Sequence, residues 1–301
     1  MLRTMADRSS ILYHYSMTGK NVYLNGKIVP AELGRVSVYD AGLLIGYSTF
    51  STMYGRNGSV FRLEQHLDRV FDTAEMLHIQ LTSTREDFRN AIPKLLEINE
   101  LVEARVRLTV TPGPARASGA TEIITADPLP EYPSEWYRDG IAVDIGKHRQ
   151  LAGDVTYGHK TGNYLPRVLA HRDAASHGFQ ERLWFTADGH LAEGCMSNVF
   201  LVSDGTVQTP PLDTPVLKGI CRNAVLEVCE ALGVPVDTET HLTSMDLNEA
   251  DEAFLTGSTA GVRPVVKVGR GSVGHGTPGP VTRRIMQRYA EMIDAECGRI
   301  E

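Results

Sequence analysis

The sequence has little of what marks a disulfide-stabilised, metal-binding or nucleic-acid-binding protein. Four cysteines occur in 301 residues without Cys-x-x-Cys spacing, and the ten histidines are dispersed, so we expect reduced thiols and no metal site. The 30 lysines and arginines form no basic run and the formal net charge is −7, which argues against nucleic acid as a partner. No apolar run approaches membrane-spanning length. We therefore expect a cytoplasmic protein without membrane contact, with a disordered leader at residues 1–20.

The apolar patterns that are present predict two domains that mix helices and strands. Asn-Gly pairs at 25–26 and 57–58 separate short apolar runs, which predicts two β-hairpins because both residue types tolerate positive φ. Residues 127–133 are the most proline-dense stretch, so we place a linker at 127–138 between a smaller domain at 21–126 and a larger one at 139–301. Helical spacing of apolar residues predicts helices at 63–77, 85–98, 220–232 and 281–292. Gly233 should end the third of these, and Thr243-x-x-Asp246 resembles a capping box that would start a further short helix.

One lysine stands out by its surroundings. Lys160 lies in residues 158–164 (GHKTGNY), which contain no other Lys, Arg, Asp or Glu, and Glu193 follows after 33 residues in 192–200 (AEGCMSNVF). Alone, either residue would be read as a solvated surface charge. Together they suggest a pyridoxal phosphate (PLP) enzyme, in which the lysine forms a Schiff base with the aldehyde. A carboxylate at the ring nitrogen would keep that nitrogen protonated, so that the ring accepts electrons.

These two segments, with residues 61–69 (FRLEQHLDR) and 217–222 (LKGICR), resemble the class IV, fold-type IV aminotransferases. The resemblance runs from about Val22 to the last helix. It implies a two-domain α/β (mixed α+β) fold like that of D-amino-acid aminotransferase, with PLP as the cofactor. It also implies an amino acid or amine and a 2-oxo acid as substrates, and a homodimer in which a neighbour's loop closes the pocket.

The resemblance also assigns residues to the cofactor. Lys160 is the catalytic lysine, Tyr164 contacts the phenolic oxygen, Glu193 pairs with the pyridine nitrogen, and Leu217 packs on the ring. The phosphate is assigned to a helix N-terminus, a hydroxyl and an arginine, which are Gly219, Ile220, Cys221, Ser258 and Arg62. Cys221 stands where the family usually has threonine, so one hydroxyl contact is replaced by a thiol, which is a poor donor.

Substrate contacts are assigned to Phe50, Arg107, Thr259 and Ala260. Residues 46–51 (GYSTFS) depart from the usual Gly-Asp-Gly-Val-Phe-Glu, because the acidic residue after the aromatic is replaced by Ser51. Arg107 aligns with a branched-chain arginine near the substrate, although a salt-bridged strand residue is an equal alternative. Arg116 could instead bind a second carboxylate, as in the D-amino-acid branch.

The function predicted from the sequence is therefore transamination of branched-chain or other hydrophobic amino acids. The alternatives within the family are aminodeoxychorismate lyase, which the Phe50-Ser51-Thr52 segment somewhat resembles, and a D-amino-acid or (R)-amine transaminase. A catalytically inactive PLP-binding protein is the alternative from another class.

Overall fold

The computed structural model describes residues 20–115 and 119–300, which form two compact units. The N-terminal unit contains the described residues up to 129, Val155–Tyr164 and 287–300, and the C-terminal unit contains Pro130–Asp154 and Leu165–Met286. The segment around Lys160 thus groups with the N-terminal unit, which the predicted domains at 21–126 and 139–301 did not anticipate. Nearly all of the predicted leader, and Arg116, lie outside the described residues.

The N-terminal unit is built on a sheet whose described strands are all antiparallel, in the order β2-β1-β6-β5-β3-β4. The strands are β1 (Asn21–Leu24), β2 (Lys27–Pro30), β3 (Thr49–Arg56), β4 (Ser59–Val60), β5 (Glu103–Thr111) and β6 (Thr121–Pro128). Both predicted hairpins are confirmed. Asn25 and Gly26 have φ of 48° and 86°, and Asn57 and Gly58 have 51° and 75°, as a two-residue primed turn requires.

Helices supply the rest of the N-terminal core. They are the short 3-10 helix Ala31–Leu33, α1 (Ala41–Ile45), α2 (Leu63–Met76) and α3 (Arg85–Ile98). A capping box starts α3, in which the Thr84 hydroxyl and the Asp87 carboxylate satisfy each other's backbone N–H groups. Alternate residues of β5 are buried, and they pack with the apolar faces of α2 and α3 in one cluster. This packing makes the sheet a rigid support for side chains on its strands.

The C-terminal unit is built on a second sheet, in the order β12-β11-β10-β13-β14-β7-β8-β9. The strands are β7 (Ile141–Gln150), β8 (Glu181–Thr186), β9 (Leu191–Gly194), β10 (Asn198–Ser203), β11 (Thr206–Gln208), β12 (Val236–Asp237), β13 (Glu252–Gly257), β14 (Gly261–Val268) and β15 (Gly271–Ser272). Because β9 pairs with β10 as well as with β8, six of the strands close into a ring. Glu193 and Asn198 are the residues paired where the ring closes.

The remaining helices are α4 (Glu135–Arg138), α5 (Leu165–Ser176), α6 (Ile220–Leu232), α7 (Ser244–Glu249) and α8 (Pro280–Cys297). Gly233, with φ of 64°, ends α6, as the sequence predicts. The predicted capping box at Thr243 and Asp246 starts α7. Within the described parts of the chain, no helix combines the length and the apolar character needed to cross a membrane. The predicted mixture of helices and sheets is confirmed.

Candidate active site

The backbone of the Lys160 segment is attached to the first residues of β3. The Lys160 carbonyl accepts from the Phe50 N–H at 3.0 Å and from the Thr49 hydroxyl at 3.2 Å. Gly162 donates its N–H to the Ser48 carbonyl at 2.8 Å, and a side chain there would place Cβ 2.0 Å from the Ser48 hydroxyl oxygen. Glycine at 162 therefore permits the close approach that fixes the position of Lys160.

The Lys160 amine lies in an aromatic setting. Its Nζ donates to the Tyr164 hydroxyl at 2.8 Å and lies 4.8 Å from the ring centroids of both Phe50 and Tyr164. The Arg107 guanidinium, on β5, lies 3.7 Å from the Phe50 ring centroid. Four residues selected from the sequence are thus brought together in the N-terminal unit, although their roles stay predictions. An amine and a guanidinium both lie close to the Phe50 ring, and two such cations suit an anionic group.

A buried polar group missed by the sequence analysis adjoins this cluster. The Ser51 hydroxyl, next to Phe50, is 2.8 Å from His66 Nδ1 and accepts from Arg69 Nη2 at 2.7 Å. Burial, and then the positive charges of Arg69 and Lys160, hold the pKa of His66 well below its usual value. His66 and Arg69 are three residues apart in α2, so their shared face was readable from the sequence once the helix was recognised.

Arg62, the predicted phosphate arginine, has different partners. It precedes α2 with φ of 57°, and its Nε lies 3.0 Å from a carboxylate oxygen of Glu296. Its Nη2 is 3.2 Å from the sulfur of Met292, so the Arg62 guanidinium contacts two side chains of α8. Its phosphate role stays a prediction, and Arg69, beside Ser51 and His66, is a second candidate that the sequence analysis did not select.

Glu193 ends β9 in the C-terminal unit with its side chain only 4% exposed. One carboxylate oxygen accepts from Arg167 Nη2 at 2.5 Å, and the other accepts from the Leu217 N–H at 3.0 Å. The Gln150 amide is satisfied when its oxygen accepts from Arg167 at 3.1 Å and its nitrogen donates to the Pro215 carbonyl at 3.2 Å. The carboxylate is thus ordered by its own unit, and no sequence pattern had indicated Arg167 as its partner.

The turn after Glu193 is held by a second buried acid. The Glu181 carboxylate accepts from the N–H groups of Cys195 and Met196 at 3.1 and 3.2 Å, and from the Ser197 hydroxyl at 3.1 Å. Each of these donors lies within four residues of Glu193. Glu181 was also missed, because a buried carboxylate in a strand has no local signature.

Residues near Gly219 form the proposed phosphate site of this unit. Gly219 is the N-cap of α6, and within the described residues no side chain caps that helix end. The first-turn N–H groups, which include those of Ile220 and Cys221, therefore suit an anion. A side chain at Gly219 would place Cβ 1.9 Å from the Asn198 amide oxygen, and the Asn198 amide nitrogen donates to the Leu217 carbonyl at 2.9 Å.

The tight turn between β13 and β14 carries Ser258, predicted to bind the phosphate, and Thr259 and Ala260, predicted to contact the substrate. Hydrogen bonds to two tyrosines fix this turn. The Tyr132 hydroxyl is 2.8 Å from the Thr259 hydroxyl, and the Tyr137 hydroxyl donates to the Ala260 carbonyl at 3.0 Å. Burial raises the pKa of Tyr137 to about 12, so it remains a donor at neutral pH.

Comparison with known proteins shows the family of the chain. A family described as amino-transferase class IV matches residues 48–268. A Methanocaldococcus jannaschii protein, provisionally named branched-chain-amino-acid aminotransferase, is 34% identical over 279 residues, covering 90% of this chain and 96% of its own. The Escherichia coli branched-chain amino acid aminotransferase structure has a TM-score of 0.87 at 29% identity, covering 92% and 96% of the two chains. The structure of the Thermoproteus uzoniensis branched-chain aminotransferase with norvaline has a TM-score of 0.84 at 25% identity, covering 92% and 95%.

The residues of this chain fit the cofactor of that family. PLP requires an amine for its aldehyde, a carboxylate for its ring nitrogen and donors for its phosphate. Lys160 has a positioned amine, and Glu193 is an ordered buried carboxylate. The N-terminus of α6 has backbone N–H donors, and a side chain at position 219 would not fit there. On the match over residues 48–268 and the 34% identity to a relative, the chain belongs to the class IV aminotransferases and is a PLP-dependent enzyme.

Proposed function

We propose that this aminotransferase transfers the amino group of branched-chain or other hydrophobic amino acids to a 2-oxo acid. The observation that carries the proposal is the pairing of an apolar surface with a cation beside the reactive amine. The Phe50 ring lies 4.8 Å from Lys160 Nζ and 3.7 Å from the Arg107 guanidinium. A substrate with one carboxylate and an apolar side chain matches these groups. The relatives described above are named as branched-chain aminotransferases, which supports the same substrate class.

Each of the predicted site residues has a proposed role in the reaction. When bound, PLP supplies an aldehyde that exchanges amino groups and a ring that accepts electrons. The Lys160 amine would hold the cofactor and, when free, would take the proton from the substrate α-carbon. The Tyr164 hydroxyl, which accepts from that amine, would keep it in place. Glu193 would hold a proton at the ring nitrogen, and Leu217 would contact the ring.

The phosphate is assigned to the N–H groups of α6 and to Ser258. Gly219, Ile220 and Cys221 present backbone donors, so the thiol at 221 leaves the main contacts intact. We add Arg69 to the predicted Arg62 as a candidate for the phosphate charge. Arg69 is the stronger candidate because it adjoins the Lys160 cluster through the Ser51 hydroxyl, whereas Arg62 is already paired with Glu296.

The test is a set of half-reactions with purified PLP-loaded protein. L-leucine should consume the visible absorbance of the bound cofactor faster than D-alanine, (R)-1-phenylethylamine or aminodeoxychorismate. A faster reaction with D-alanine or with (R)-1-phenylethylamine would instead indicate a D-amino-acid or an (R)-amine transaminase. Pyruvate released from aminodeoxychorismate would indicate the lyase. Bound cofactor that reacts with none of the four would indicate an inactive homologue. Lys160→Ala should abolish the visible absorbance, and an unchanged spectrum would reject Lys160.

We further propose a cytoplasmic homodimer. Five apolar side chains within residues 38–45 are 61% to 72% exposed, and exposed apolar side chains that lie together often mark an interaction surface. A second copy of the chain would cover them. The strip consists of Val38, Tyr39, Leu43, Leu44 and Ile45. The four described cysteines are free and buried, which supports a reducing compartment.

A further inference from the structure

A buried arginine holds the carboxylate that the proposed function assigns to the cofactor ring. Arg167 projects from α5, and its side chain is 14% exposed. Besides its bond to Glu193, its Nη1 donates to the carbonyls of Gly194 and Cys195 at 3.1 and 3.2 Å. One guanidinium therefore ties the Glu193 side chain to the two residues that follow it in the chain.

Trp184 also contacts the Arg167 guanidinium. Its central carbon lies 5.0 Å from the Trp184 ring, and the Trp184 indole N–H donates to the Cys195 sulfur at 3.1 Å. Arg167, Trp184 and the turn after Glu193 thus form one packed group. Arginine does not lose its proton in proteins, so the positive charge beside Glu193 is permanent.

That charge gives the Glu193 carboxylate a fixed counter-ion. A partly buried ion pair with several hydrogen bonds holds its members in one geometry. Arg167 and the Leu217 amide take one lone-pair site on each oxygen, and a carboxylate has about four such sites. The Glu193 carboxylate can therefore accept a hydrogen bond from one more donor.

We propose that Arg167 is a positioning residue whose positive charge holds the Glu193 carboxylate in the orientation that suits the ring nitrogen of the cofactor. The inference rests on the proposed role of Glu193. It extends that role by assigning the orientation of Glu193 to a residue on α5 that needs no contact with the cofactor.

The experiment uses holoenzyme loaded with PLP labelled with ¹⁵N in the ring, because ¹⁵N NMR distinguishes a protonated from an unprotonated ring nitrogen. Arg167→Gln should move the signal toward the unprotonated position, whereas Arg167→Lys, which keeps the charge, should leave it near the wild-type position. The rate of the half-reaction with L-leucine should fall about 10- to 100-fold in Arg167→Gln, the usual effect of losing a residue that orients a functional group. The half-saturating concentration should stay unchanged.

Arg182→Gln is the matched control. Arg182 is 13% exposed in the same unit and pairs with Asp144 and Asp173 at 2.6 and 2.7 Å, so its loss also breaks a partly buried ion pair. Its ¹⁵N signal should match wild type. An Arg167→Gln signal at the wild-type position, or one moved toward stronger protonation, would overturn the inference.

Glu193→Gln, together with Arg167→Lys, distinguishes failure of the Arg167 role from failure of the proposed function. Glu193→Gln should give the unprotonated signal, and if it does not, the assignment of Glu193 itself fails. If Glu193→Gln moves the signal and Arg167→Gln does not, the proposed function stands and the role of Arg167 is wrong. Should Arg167→Gln not fold, Arg167→Lys decides, because a signal moved fully to the Glu193→Gln position would show that the charge at 167 is not the cause.

Discussion

A methyl group added at Gly219 should disturb the phosphate site through one buried amide. The Cβ of Gly219→Ala would lie 1.9 Å from the Asn198 amide oxygen and 3.1 Å from the carbon that bears it. Asn198 is 6% exposed and its amide nitrogen is bonded to the Leu217 carbonyl, so it cannot swing into solvent. We expect the amide to turn away and leave that carbonyl without its donor.

The cost follows from these two changes. Steric strain from overpacking costs about 1–3 kcal/mol, and leaving the partly buried Leu217 carbonyl unsatisfied costs about 1 kcal/mol, the low end of the range for buried groups. We therefore expect Gly219→Ala to lower the free energy of unfolding by at least about 2 kcal/mol, or the Tm by roughly 4 °C or more. Because the Leu217 N–H also bonds Glu193, the Kd for PLP should rise about tenfold, which corresponds to about 1.4 kcal/mol.

The assay is thermal unfolding of cofactor-free protein together with titration of PLP. Gly257→Ala is the control, since its Cβ would meet only the Met196 carbonyl oxygen at 3.8 Å, and its Tm should change little. Asn198→Ala removes the clashing amide, so Gly219→Ala should cost almost nothing further in that background. Additive losses in the double variant, or a Gly219→Ala protein as stable as wild type, would refute this account of the site.

Three other outcomes are expected. Because the pKa of His66 is lowered in the folded protein, its neutral form contributes fully to stability above the unfolded-state pKa of about 6.5. Below that pH the free energy of unfolding falls by about 1.4 kcal/mol per pH unit. His66→Gln should flatten this fall between pH 6.5 and 5, and equal slopes for the variant and the wild type would contradict the reasoning. Arg69→Met should raise the Kd for PLP more than Arg62→Met, and the reverse order would restore the sequence prediction. Leu43→Lys with Leu44→Lys should convert a dimer to a monomer in light scattering, and an unchanged mass would exclude this surface.

Features set by local chemistry could be predicted from the sequence. The turn at Asn25-Gly26 and the end of α6 at Gly233 depend on φ preferences of the residues themselves, and both are found as predicted. The capping box at Thr243 and Asp246 depends on side chains three residues apart and is also found. Short-range geometry leaves few alternatives for such residues.

Features that depend on distant pairing could not be predicted in this way. Residues 261–264 contain glycine and proline, yet they start β14, since pairing with β13 outweighs local preference. Arg167 is 26 residues from Glu193, and Arg69 is 18 from Ser51, so neither contact leaves a trace in sequence spacing. The sequence motifs gave Lys160, Tyr164 and Glu193, whereas the residues that hold them emerge only from the fold.

The attachment of Lys160 to β3 limits what must move during turnover. Its carbonyl is anchored to the Phe50 N–H and the Thr49 hydroxyl, so the amine can travel only by rotation about its own four methylene groups. Such rotations take picoseconds to nanoseconds, far less than the milliseconds or longer of a typical catalytic cycle. The swing of this lysine should therefore never be the slow step, and the enzyme can release and recapture its coenzyme without remodelling any main chain.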